Sequence, residues 1–373
     1  MKKMMLLIAA SIVLASCSNC QNSKVKTADE NAYKETKALL ALLKDNLNKG
    51  IMFGHQDDLS YGRAWDYPNG ESDVKRVCSD YPAVTGIDLG HLELDSARNL
   101  DSVPFKYEIE IVKKVHGYGG LITVSWHLNN PLTGGTAWDV SSDKVVESIL
   151  PGGSQHEKYK QWLDKVAGFL TSFTDENGKL IPVIFRPYHE HTGSWFWWGQ
   201  KLCTTQQFID LWRFTFDYLT KTKNVHNLLF AYSASGDFKN AAEYLERYPG
   251  DNYVDILGFD YYQFSVADKE KTISELNTKL GLLETIAQEH NKIPALTEVG
   301  FESLPDPKWW TGTIWPAVKD HKISWFLVWR NAHYRIDHFY APYPGQQSEK
   351  DFIDFYNLPG SLFRNDLGIN KSK

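Results

Sequence analysis

The stretch IPVIFRPYHEHTGSWFWW, Ile181–Trp198, decides the architecture of this chain. It opens on Ile181-Pro182-Val183-Ile184-Phe185, an apolar run with the length and composition of a strand buried on both faces. The run stops abruptly at Arg186, His189 and Glu190, and the aromatic cluster Trp195, Phe196, Trp197, Trp198 follows. A buried strand that delivers a carboxylate, a histidine and an arginine into indole-rich surroundings suits sugar chemistry. The plainer alternative is a buried ion-pair network at a strand end. That alternative weakens because the same event recurs along the chain.

Working outward, short apolar runs predict strands at Ile51–Gln56, Ala83–Gly90, Leu121–His127, Pro182–Glu190, Leu228–Ser233, Val254–Tyr262, Ala295–Gly300 and Ile323–Arg330. Helical patterns separate them, near Asp73–Tyr81, Pro104–Gly117, Lys144–Phe173, Thr205–Lys221, Lys239–Tyr248, Lys269–His290 and Trp310–His321. An amphipathic stretch, Asn31–Lys49, precedes the first strand and closes on Gly50. Eight strands separated by helices predict an α/β fold, a closed (β/α)8 TIM barrel. An open doubly wound sheet fits less well, because Gly54-His55-Gln56-Asp57 stands where a glycine-rich phosphate turn would be needed. No repeat or linker divides residues 31–373, which are read as one domain. Asn129–Gly153 and Phe339–Asp354 read as loops shaping a cleft.

In such a barrel the active site lies at the C-terminal ends of the strands. Those ends carry His55, Asp88, His127, then Arg186, His189 and Glu190, then Ser233, Asp260 with Tyr262, Glu298, and Trp329 with Arg330. Every end is polar, charged or aromatic, which predicts a polar bowl at the mouth. Glu190 ends the fourth strand and Glu298 the seventh. Cleaving a glycosidic bond needs one carboxyl to protonate the leaving oxygen and a second to attack or to activate water. These two carboxylates, facing each other across the mouth, are the candidates. Attack by the second requires a separation of roughly 5–5.5 Å.

Composition narrows the remaining classes. A formal charge of −6 with no Lys/Arg cluster argues against a nucleic-acid surface. Thirteen tryptophans in 373 residues suit a cleft that stacks on pyranose rings, although some must be core, and Trp162 and Trp212 within helical patterns read as core. Trp309-Trp310 reads equally as a sugar platform or as helix-to-barrel packing. His189 and His191 suggest a metal pair, but no HExxH or HxH-plus-carboxylate set completes it, so neither metal nor cofactor is expected. Lys2 and Lys3 followed by the short apolar run Met4–Ala15 form a signal peptide, residues 1–16. Leu14-Ala15-Ser16-Cys17 resembles a bacterial lipobox, which implies lipidation of Cys17 and a polar tether over residues 17–30. The expected location is a Gram-negative outer membrane, facing the periplasm rather than the cell surface because no acidic run follows Cys17. Cys20, Cys78 and Cys203 remain, and the sequence does not choose a disulfide among them.

Arg186-Pro187-Tyr188-His189-Glu190 with Trp195, Thr297-Glu298-Val299-Gly300, Asp260-Tyr261-Tyr262, Ser125-Trp126-His127 and Trp329-Arg330-Asn331 together resemble glycoside hydrolase family 26. The resemblance runs from about Ile51 to the C-terminus. It implies a retaining (β/α)8 enzyme acting on β-1,4-mannan, galactomannan or manno-oligosaccharides. By that likeness Glu190 is the general acid/base and Glu298 the nucleophile. His189 sits beside the acid, Trp195 stacks on a sugar, Tyr262 hydrogen-bonds the nucleophile and Arg186 holds its charge. His127, Trp329 and Arg330 line the glycone side, and Asp260 belongs to the same substrate-binding set. Glu190 needs a shielded wall, such as Trp195 and Trp198 supply, to stay protonated near neutral pH. Asp88 and His55 are expected as supports or distal contacts. End-wise release of mannobiose is slightly favoured over cleavage within chains, and a monomer is expected. The alternatives are action on β-1,3-xylan or mixed-linkage glucan, a non-catalytic glycan-binding lipoprotein, and a metal-dependent hydrolase on the same barrel.

Overall fold

The structure, a computed structural model, describes residues 26–67 and 71–368. Residues 1–25, with the signal segment, Cys17 and Cys20, lie outside the described residues. Eight parallel strands form the barrel: β1 Ile51–Gln56, β2 Val84–Asp88, β3 Leu121–Trp126, β4 Val183–Pro187, β5 Leu228–Ser235, β6 Ile256–Gln263, β7 Ile293–Phe301 and β8 Trp325–Val328. They pair in sequence order, and β8 pairs back onto β1, with Met52 beside Trp325 and His55 beside Val328. This is the expected (β/α)8 TIM barrel. A short strand, Ser361–Leu362, adds to the start of β1, and a two-stranded ribbon, Tyr61–Gly62 with Trp65–Asp66, stands beyond its end.

Two-residue alternation along the strands sorts the core into two layers. One apolar set packs inside: Met52, Val84, Leu121, Ile184, Leu229, Ala231, Ile256, Ala295, Trp325 and Leu327. Leu39, Leu40 and Leu43, from the helix Lys34–Asn46, join that set and plug the N-terminal end of the barrel. The other set, including Phe53, Val124, Phe185, Phe230, Phe259, Leu296 and Phe326, meets the surrounding helices. Advancing two residues from the inner set toward the C-terminal ends replaces apolar by polar side chains. Ile184 gives way to Arg186, Ala231 to Ser233 and Ala295 to Thr297, all buried. The alternation that fills the lower barrel therefore builds the floor of the bowl.

Several boundaries differ from the sequence reading. β4 ends at Pro187, not Glu190, because Tyr188 (φ 51°) and Glu190 (φ 54°) take left-handed conformations that no strand contains. The predicted helix Lys144–Phe173 is two helices, Val145–Ile149 and His156–Leu170, since Pro151-Gly152-Gly153 intervenes and Gly152 sits at φ 88°. The loop expected over Phe339–Asp354 contains most of the helix Glu349–Tyr356. At the end of the expected tether, Thr27, Ala28 and Asp29 are buried: Ala28 N–H donates to Asp255 Oδ1 (2.7 Å) and Asp29 pairs with His226 (2.7 Å). Trp162 and Trp212 are core as expected, and Trp309 and Trp310 are fully buried packing residues, not an exposed platform. Cys78 and Cys203 are both free thiols.

Candidate active site

The floor of the bowl is organised by Arg186. Its guanidinium donates to Asp260 Oδ2 (3.0 Å) through Nη1 and to Glu298 Oε1 through Nη2. The Tyr262 hydroxyl donates to the other Glu298 oxygen, Oε2, at 2.6 Å. Thr297 Oγ1 (2.7 Å) and Ser233 Oγ (3.0 Å) donate to Asp260 Oδ1. Strict alternation would turn Glu298 outward next to an inward Thr297. A register shift prevents this, since Phe259 lies opposite Leu296 while Asp260 lies opposite Glu298, so Thr297 is the extra residue of a bulge. Thr297 and Glu298 thus both serve the interior. Glycines clear the space: a Cβ at Gly258 would fall 2.7 Å from Thr297 Oγ1, and one at Gly300 would fall 2.3 Å from the Tyr340 ring.

Glu190 arrives differently, on the turn after β4. Its amide donates to the Ser233 carbonyl (2.9 Å), its carbonyl accepts from Gly193 N–H (2.8 Å), and the indole of Trp198 ties the neighbouring His189 carbonyl (2.9 Å). The Trp195 indole N–H donates to Glu190 Oε2 at 2.5 Å. One carboxylate oxygen from each of Glu190, Asp260 and Glu298 lies within 4.8 Å of the other two. Burial pushes the Glu190 carboxyl well above the usual range and the charges of Asp260 and Glu298 add to this, while Trp195 and Arg186 oppose it only in part. Asp260 is raised as well, by burial first, against the pull of Arg186. Burial alone would lower Arg186, but Asp260 and Glu298 more than offset it and hold the guanidinium above its ordinary value. A trio of carboxylates this close could hold a cation. Arg186, donating to two of the three, already supplies the compensating charge.

Beside the acid stands a relay of imidazoles. His127 Nδ1–H donates to Asp88 Oδ2 (2.6 Å), and His127 Nε2 lies 3.1 Å from His189 Nε2. Burial works against a charged His127, yet Asp88 outweighs it and raises His127, whereas burial and the charges of Arg186 and His127 hold His189 well below its ordinary value. With His127 Nδ1 committed to Asp88, the two Nε2 atoms share a single hydrogen bond. His191 turns away from this pair and packs between the Phe208 and Tyr232 rings, so His189 and His191 do not converge on a common ligand.

The bowl continues into a cleft on both sides of Glu190. One lobe, ≈ 460 Å³, includes Asp237, Tyr261, Lys271 and Glu275 in its walls. The other, ≈ 310 Å³, is walled by His127, His189, Trp329 and Tyr340. Glu190, Trp195, Tyr262 and Phe264 belong to both lobes. The structure thus brings together Glu190, Glu298, His127, Arg186, His189, Trp195, Asp260, Tyr262 and Trp329. Asp260 acts chiefly from below, as a buried partner of Arg186. Arg330 lines neither lobe and is turned to Asp101 (2.9 Å) and to the hydroxyls of Tyr61 (3.3 Å) and Tyr334 (3.0 Å). His55 is likewise internal, bonded to Asp58 (2.7 Å). Several cleft aromatics escaped the sequence reading, Tyr340 in the wall of the second lobe among them. Trp138, in the loop over Asn129–Gly153, stacks on His127 (5.2 Å, 19°), and Phe264 is 88% exposed on the rim. An indole inside a Gly- and Ser-rich loop was the available signal for Trp138; nothing local marks Phe264.

The profile of Glycosyl hydrolase family 26 matches residues 28–338. A solved β-mannanase of that family from Bacteroides ovatus is 47% identical, superposes with a TM-score of 0.87, and covers 91% of this chain and 98% of its own. A modular endo-β-1,4-mannanase from Cellulomonas fimi is 32% identical with a TM-score of 0.85, covering 94% of this chain and 80% of its own. A mannan endo-1,4-β-mannosidase from Bifidobacterium adolescentis is 31% identical over 94% of this chain, which spans 38% of that relative's length.

Proposed function

The chain belongs to glycosyl hydrolase family 26, and from that premise we propose that it hydrolyses β-1,4-mannosidic bonds with retention of configuration. The substrates are mannan, galactomannan or manno-oligosaccharides. The observation that carries the mechanism is the approach of an oxygen of Glu190 to an oxygen of Glu298 within 4.8 Å, which agrees with the roughly 5–5.5 Å between the carboxyl groups of a retaining pair. Glu190, kept protonated by burial and neighbouring charge, gives its proton to the departing oxygen. Glu298, held at both oxygens by Arg186 and Tyr262, attacks the anomeric carbon and forms a glycosyl ester. Esterification cancels the Glu298 charge, which lets Glu190 release its proton and act as base toward water. Trp195, hydrogen-bonded to the acid and 41% exposed, offers its ring to the sugar across the scissile bond.

Replacing Glu190 or Glu298 with Ala should lower mannan hydrolysis by several orders of magnitude with the fold intact. Azide should rescue the two variants with opposite anomers. Wild-type rates in either variant would remove the assignment. Cleavage within chains fits the two-lobed cleft and the endo-acting relatives. End-wise release of mannobiose is the second reading, favoured by the tie between Arg330 and Asp101, which joins the loops after β8 and β2. Product analysis on mannohexaose separates them: a ladder for the first, a dominant disaccharide for the second.

The same proposal includes a monomeric enzyme carried on lipidated Cys17 and facing the periplasm. The docking of Thr27–Asp29 at the barrel end opposite the mouth is compatible with the anchor, since a membrane-bound N-terminus would leave the cleft facing away. A Cys17→Ala precursor that still fractionates with membranes would contradict the anchor.

A further inference from the structure

We infer that Arg247 is a positioning residue for the turn that carries the acid, an inference that rests on the acid/base role proposed for Glu190. Arg247 is 1% exposed and follows the helix Ala241–Leu245 beyond β5. Its guanidinium Nη1 donates to the carbonyls of His191 and Trp198 (3.2 Å to the latter), and Nη2 donates to Cys203 Sγ at 2.7 Å. The cation lies 4.0 Å from the centroid of the Phe208 ring. No carboxylate among the described residues pairs with it. A buried charge without an anion is expensive to keep, and here it is spent on main-chain carbonyls.

Those two carbonyls are the point. His191 directly follows Glu190, and Trp198 closes the aromatic run three residues after Trp195. Arg247 therefore pins both ends of the loop that carries the indole partner Trp195, one of those ends directly following the acid. The segment needs such pinning, since Tyr188 and Glu190 sit at φ 51° and 54°, conformations that persist only when surroundings impose them. Arg247 touches neither Glu190 nor the cleft, so it acts through the turn.

The test compares substrates that differ in their need for an acid. Leaving-group protonation is required for mannotetraose and not for a 2,4-dinitrophenyl β-mannobioside, and azide bypasses the base in the second step. Arg247→Met should lower kcat on mannotetraose by about 100-fold, the order of loss for a misplaced catalytic group. On the dinitrophenyl substrate with azide it should fall by less than about threefold, the pattern of a lost acid. The high-pH limb of the mannotetraose profile should move to lower pH as the loosened acid becomes more hydrated. Arg247→Lys, which keeps a cation able to reach one carbonyl, should show the same selectivity with a smaller loss, and it decides the matter if the Met variant does not fold. Equal losses on both substrates, with Glu190→Ala selective in parallel, would overturn the clamp. A non-selective Glu190→Ala would instead overturn the acid/base role and the clamp with it.

Discussion

Arg186→Met is the sharpest perturbation the floor of the site allows. Methionine keeps much of the stem and removes the only cation donating to Asp260 and Glu298 among the described residues. Three carboxylates within 4.8 Å are then left without a compensating charge. Breaking a buried pair by removing one partner typically costs about 3–5 kcal/mol, and that is the expected loss of unfolding free energy at pH 8. The pH dependence has a definite sign. Without the guanidinium the cluster binds protons more tightly in the folded state than in the unfolded chain, at about 1.4 kcal/mol per unit of pKa difference. A raised folded value gives a contribution that is present at low pH and lost as pH rises, so the deficit should shrink toward pH 5. In the rate, about 3–5 kcal/mol corresponds to roughly two to four decades of kcat/KM, because a nucleophile sharing a proton with its neighbours cannot attack. Urea denaturation at pH 5 and pH 8, with mannotetraose kinetics at both, measures each quantity. A stability deficit that grows toward acid, or a rate within tenfold of wild type, would refute the account of Arg186 as the charge that balances the cluster.

Two further outcomes follow from single contacts. Trp195→Phe removes the N–H that favours the charged form of Glu190, so the high-pH limb of kcat/KM should move upward, by about one unit if the lost bond is worth ~1.5 kcal/mol; a downward shift would mean the indole acts otherwise. Phe53→Ala empties the junction where Trp310, Phe326, Phe352 and Phe363 meet the first strand, and urea titration should show a loss of about 3–5 kcal/mol with the mannotetraose KM unchanged; a loss under about 1 kcal/mol would contradict the packing assigned to it.

The barrel was legible because both of its signals are local. Each strand is an apolar run a few residues long, and each run ends in a residue that must face water or a partner. What escaped was geometry that breaks the period. Alternation along Ala295-Leu296-Thr297-Glu298 puts Thr297 inward and Glu298 outward, and only the bulge against β6 brings both to the interior. Glu190 would face inward on a straight extension of β4, yet it reaches the mouth on a left-handed turn that no spacing rule announces. Arg330, placed among the sugar contacts by the family resemblance, is captured instead by Asp101, more than two hundred residues earlier in the chain. Such pairings become visible only once the strands are in register. Trp138 and Phe264 were missed for the converse reason: they sit on loops, where no period exists to say which way a ring points.

The two carboxyls differ in support as their proposed tasks differ. Glu298 stands on a strand paired on both sides, with donors fixing both of its oxygens, so its lone pairs have a set direction before any sugar enters. That suits attack, where alignment contributes most. Glu190 stands on a strained turn held through its main chain, with Trp195 on one oxygen and no protein donor on the other among the described residues. A group that must first give a proton and later take one from water gains from having one oxygen uncommitted and from a backbone that cannot drift. The rigidity at Glu190 therefore has to come from the carbonyls around it, and those are the groups that the Trp198 indole and Arg247 hold. On this reasoning loosening the turn harms proton transfer before it harms sugar binding, so losses should appear in kcat ahead of KM.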